Sequence, residues 1–143
     1  MDGHEHVPAR SARHVFVGGE VRLELHGHHE ATAASATVTL GPSYEVGVLA
    51  LAGAMERLAA RIEAAGGVVG HLKAFAEQDG AFVRVSVTDA REPAFVQGDA
   101  SLVVRGASRL QLVAIVLALA PDAAADEVVR ALAGLLGQEG GVS

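Results

Sequence analysis

The chain has 143 residues, half of them hydrophobic but only 3% aromatic, and a formal net charge of -6. That length suits one compact domain with a core of Ala, Val and Leu, and the acidic balance excludes a phosphate-backbone binder, so no nucleic-acid partner is expected. Cysteine is absent, which excludes a disulfide framework, a thiolate nucleophile and a cysteine-ligated zinc or iron–sulfur centre.

Residues 1–13 are polar, carry Gly3, Pro8 and Ser11, and have no apolar stretch of the signal-peptide kind. The expected organisation is a flexible leader over 1–13, a single α/β domain over 14–137 and a flexible tail over 138–143. Gly18-Gly19 reads as a hairpin turn between residues 14–17 and the strand that starts at Glu20. In that strand Val21, Leu23 and Leu25 alternate with Arg22, Glu24, His26 and His28, the period of a half-buried strand. Ala34 to Leu40 is a second strand, and residues 30–35 read equally as a turn or as part of one long strand.

Gly41-Pro42-Ser43 breaks the pattern, and Ser43 is the expected N-cap of a helix with Glu45 in its first turn. Tyr44, Val48, Leu51, Met55, Leu58 and Ile62 then recur at spacings of three and four, one apolar helical stripe that Gly66-Gly67 ends. Val68 to Glu77 and Ala81 to Asp89 follow as strands joined by Asp79-Gly80, a favoured two-residue hairpin turn. A turn of that length sets Gln78 opposite Ala81. One face then carries Leu72, Ala74 and Ala76 against Val87, Val85 and Val83. The other carries His71 opposite Thr88, Lys73 opposite Ser86 and Phe75 opposite Arg84.

Beyond Pro93 and an irregular stretch around Gly98, Ser101 to Arg105 is a short strand candidate. Leu110 to Leu119 is apolar at both parities and rich in β-branched residues, which predicts a strand covered on both faces. It is too short, and too interrupted by Gln111, to span a bilayer. Pro121 opens a second helix with Ala125, Val128, Val129, Leu132 and Leu136 as its stripe and Gly137 at its end. The expected fold is α+β, a two-layer α/β sandwich. Its sheet is largely antiparallel, with two helices packed on one face, in the order β-β-α-β-β-β-β-α.

Chemistry-bearing residues gather on the other face of that sheet. His26, His28 and Glu30 point the same way along one strand, about 6–7 Å apart from one to the next. With His71 from another strand they form a candidate ligand set for a divalent transition metal, Zn, Ni or Fe. His-x-His is also common on strands that bind nothing, and His4 and His6 lie in the leader. A second constellation is His71, Lys73, Arg84 and Ser86, which can hold a carboxylate or phosphate, with His71 as an acid/base group. An ordinary polar face with Arg84 stacked on Phe75 is the plain alternative. Lys73 is the one lysine beside ten arginines. A coding bias toward Arg, as in GC-rich bacterial genomes, would explain the ten; the single lysine is then either chance or a hint that a compact ammonium is wanted there.

Val113, Ile115 and Leu117 would lie on that same face, where apolar side chains call for a covering subunit. No phosphate-binding glycine loop or nucleophilic triad is present: Gly66-Gly67-Val68-Val69-Gly70 lacks a following helix. The expectation is a cytoplasmic homo-oligomer, without a membrane role and not evidently an enzyme, that binds a metal or small ligand through the histidine-bearing face. Two other readings stand beside it. One is a purely structural or protein-interaction module, and the other is a small enzyme acting on an anionic substrate through His71.

Overall fold

A computed structural model of the chain describes residues 10–28, 30–106 and 108–137, with the side chain of His28 outside that description. Seven strands form one antiparallel sheet in the order β1-β2-β3-β9-β5-β6-β7. They are β1 (Arg10–Phe16), β2 (Gly19–His28), β3 (Ala31–Leu40), β5 (Val68–Gln78), β6 (Ala81–Val87), β7 (Phe95–Gly98) and β9 (Arg109–Leu117). Two short strands, β4 (Glu45–Gly47) and β8 (Val103–Arg105), pair apart from it. Helices α1 (Val48–Ala64) and α2 (Pro121–Leu136) pack on one face and on each other, α1 over β5 and β6 and α2 over β1 to β3. This is the expected α+β class, with β1, β4 and β7 added to the expected order.

Periodicity builds the layers. Val21, Leu23, Leu25, Leu72, Ala74, Ala76, Val83, Val85 and Val87 all turn toward the helices and are buried. They meet Leu51, Met55, Leu58 and Ile62 of α1 and Val128, Leu132 and Leu136 of α2 within one core. Small β-sheet residues let the helices approach closely, so alanines substitute here for the missing aromatics. The Asp79-Gly80 turn has φ of 53° and 83°, positive at both residues, as the I′ hairpin requires. Its register pairs Leu72 with Val87 and Lys73 with Ser86, as the sequence predicts. No described helix is long and apolar enough to cross a membrane.

Four local expectations are corrected. Residues 10–13, assigned above to the leader, form the first half of β1 and pair with Arg22 to Leu25; residues 1–9 and 138–143 lie outside the described residues. The first helix starts at Val48 and not after Ser43. Val46 and Val104 are buried as partners in the β4–β8 pair, so the chain stays extended through Gly47, and the Val48 N–H donates to the Leu102 carbonyl at 3.1 Å. Glu45 therefore lies in β4 and pairs with Arg105 (3.3 Å) instead of standing in the first turn of a helix. The stretch before Gly98, expected to be irregular, supplies the edge strand β7, paired with β6.

Candidate functional site

The face of the sheet turned away from the helices is built in cross-strand rows. One row runs Arg22, Thr37, Gln111, Phe75, Arg84, Gln97 from β2 to β7. The next runs Glu24, Ser35, Val113, Lys73, Ser86, Phe95 over the same strands. A third carries His26, Ala33, Ile115 and His71. Strand alternation puts these residues on one face, because their odd or even partners fill the core, and the strand order makes them neighbours.

In the first two rows, β5, β6, β7 and β9 enclose a depression of about 220 Å³ lined by Lys73, Phe75, Arg84, Ser86, Gln97, Gln111 and Val113. The sequence had grouped Lys73, Arg84 and Ser86; the fold brings them together and adds the two glutamines. His71 is not in this lining. Lys73 and Arg84 are exposed diagonal neighbours on adjacent strands. Among the described residues neither takes part in an ion pair or side-chain hydrogen bond. Phe75 stacks on Phe82, its own diagonal neighbour, with centroids 5.8 Å apart and planes at 22°, which leaves the Arg84 guanidinium to the depression. The glutamines were missed because they come from β7 and β9, strands whose position beside the hairpin only the folded topology fixes.

His26 and His71 lie in one row but three strand spacings apart, about 14 Å. Ile115 stands between them. A metal ion shared by both is thus out of reach for two imidazoles with bonds of about 2 Å, and His71 is corrected as a partner of the β2 histidines. Glu30 sits exposed in the β2–β3 turn. His28 ends β2, its backbone paired with Ala31. Its side chain, like all of His29, His4 and His6, lies outside the described residues. Among the described residues no three His, Asp or Glu side chains form a group that could hold a metal ion.

Along β9 the expected strip is in place: Val113 and Leu117 are each 38% exposed and Ile115 is half-buried, all on the helix-free face. Ala31 and Ala33 flank them on β3, opposite Leu117 and Ile115. On β5 the register shifts between Val69 and His71. There Gly70 lets the Ile115 and Leu117 side chains lie over the bulge. Perturbed carboxylates lie elsewhere, in the loops. Arg91, through its side chain and then its backbone N–H, holds the Asp89 carboxyl below the usual range. Ser101 does the same for Asp99.

No protein-family model, curated protein or solved structure matches this chain.

Proposed function

We propose that the chain is a homo-oligomeric binding domain that works through the helix-free face of its sheet, the β9 strip being covered by a second copy. One observation carries this reading. From Val113 to Leu117 the central strand of the seven is apolar on both faces, and only one of those faces has helices over it.

The occupant follows from position and area. β9 is fourth of seven, so a two-fold axis running parallel to it in the plane between two packed sheets sets Val113, Ile115 and Leu117 against their own copies, the isologous arrangement of cyclic dimers. Seven strands at about 4.8 Å spacing, roughly seven residues long, present on the order of 700 Å². Standard interfaces bury about 600–1,000 Å² per partner, and this face falls within that range. The face also carries both signs of charge, with Glu20, Glu24 and Glu77 among Arg13, Arg22, Lys73, Arg84 and Arg109, so carboxylates are available to pair with the more numerous cations of a facing copy.

Replacing Ile115 with Glu buries a charge in any such interface and leaves the core untouched. Multi-angle light scattering should give an oligomer for the wild type and the mass of one chain for I115E, with unchanged circular dichroism. A wild type that is itself monomeric at high concentration, or an I115E variant of unaltered mass, overturns the reading.

A further inference from the structure

We infer that the depression between β9, β5, β6 and β7 is a binding site for a small organic anion carrying a carboxylate or phosphate group. The depression lies on the face that the proposed second copy would cover, with Val113 common to both, so the site is that of the single chain and is titrated in I115E as well as in the wild type.

Charge placement is the first ground. Lys73 and Arg84 are held as diagonal neighbours on a fixed hairpin register, where like charges repel. The protein as a whole is acidic, at -6, and has carboxylates to spare. Yet no carboxylate lines the depression, and among the described residues no Asp or Glu pairs with either cation. An anion supplies the missing counter-charge, with the guanidinium offering a planar fork and the ammonium a compact point charge.

The remaining lining sets the kind of anion. The Ser86 hydroxyl and the carboxamides of Gln97 and Gln111 provide neutral donors and acceptors around the two cations. Phe75, pinned by its stack on Phe82, gives an apolar wall. A volume of about 220 Å³ equals roughly seven waters at about 30 Å³ each. It admits a phosphate ester of a short polyol or a small dicarboxylate, and it lies below the range typical of drug-sized ligands. The site rests on strands whose opposite face is core, so its side chains are presented by a rigid support.

The test is an amide-resolved NMR titration of the full chain with glycerol phosphate and with succinate, with glycerol as the uncharged control. At least one anion should bind saturably at millimolar concentration and move the amides of Lys73, Phe75, Arg84 and Gln111, while glycerol moves none. The two anion arms tell a phosphate ligand from a carboxylate. K73M and R84Q should each weaken binding about tenfold, the loss of one charge-assisted contact, and the double variant should abolish it. Both side chains are exposed, so the variants should keep the wild-type fold and melting temperature. Equal affinity in the double variant, or shifts centred on Arg22 and Arg13 instead, overturns the inference. Because I115E alters neither cation, its mass reports on self-association while these titrations report on the anion site.

Discussion

The Tyr44 hydroxyl donates a hydrogen bond to the Leu135 carbonyl at 3.0 Å, tying the loop after β3 to the last turn of α2. The carbonyls of a helix's final turn have no partner within the helix. α2 has no basic residue in that turn, and the sheet side supplies donors instead: Tyr44 to Leu135, and the Gly18 N–H to Leu136 at 2.8 Å. Gly18 is bare for a reason, since a Cβ there would lie 2.5 Å from the Tyr44 ring. Replacing Tyr44 with Phe keeps the ring and removes the donor. It should cost about 0.5–1.5 kcal/mol in urea unfolding with an unchanged m-value. No loss of stability would mean that water serves the Leu135 carbonyl equally well.

The same tyrosine shows where local pattern misleads. Its spacing to Val48, Leu51 and Met55 continues a helical stripe, yet the helix begins only at Val48. What overrides the pattern is a pairing between residues nearly sixty positions apart, Val46 with Val104, and no local window contains it. The Asp79-Gly80 hairpin was legible from the turn back to Leu72 and Val87, because two turn residues and strict alternation fix its register within about twenty positions, whereas the expected pair of His71 with Thr88 is not formed because β6 ends at Val87. The parity of β9 was legible too, and with it the exposed strip. Its insertion between β3 and β5 was not, and that insertion separates His26 from His71 and carries Gln111 to Lys73 and Arg84. Side-chain facing is a local property, whereas which strands are neighbours is decided by the whole sheet.

Acid titration should report the loop that leads into β8. The Ser101 hydroxyl donates to Asp99 Oδ1 at 2.6 Å and its backbone N–H at 2.9 Å. These bonds hold the carboxyl below its ordinary value. A folded pKa that is depressed contributes stability above the unfolded value, near pH 4 for Asp, and that contribution is lost as pH falls through the folded value. S101A should raise the Asp99 midpoint toward the ordinary range in a carbon-detected NMR titration, leave Asp89 where it is, and flatten the acid limb of stability below about pH 4. An Asp99 curve identical in S101A would show that the backbone bond alone sets it.

Gly70 should not tolerate a side chain. An added Cβ would sit 2.9 Å from the Ile115 carbonyl oxygen and 3.2 Å from its Cγ2. The first of these neighbours is backbone and cannot swing aside. G70A should therefore push β5 from β9 at the bulge and destabilise by about 1–3 kcal/mol, the range for forced overpacking. Hydrogen exchange should accelerate first at Val69, His71 and Val116. A variant as stable as the wild type would mean the bulge can open without cost.

At the end of β9 the expected sign reverses. Ala118 adopts φ of 61°, a left-handed conformation unfavourable for any residue with a Cβ. Its N–H donates to the Glu30 carbonyl at 3.3 Å, so the β2–β3 turn holds the strained backbone in place. Ala118 is exposed, and removing its methyl group leaves no cavity. A118G relieves roughly 1–2 kcal/mol of strain in the folded state, while the extra freedom of glycine in the unfolded chain returns about 0.4–1 kcal/mol of that. The net expectation is a gain between zero and about 1.6 kcal/mol, read as a higher urea midpoint at constant m-value. A lower midpoint would show that the unfolded-chain entropy outweighs the strain at this turn.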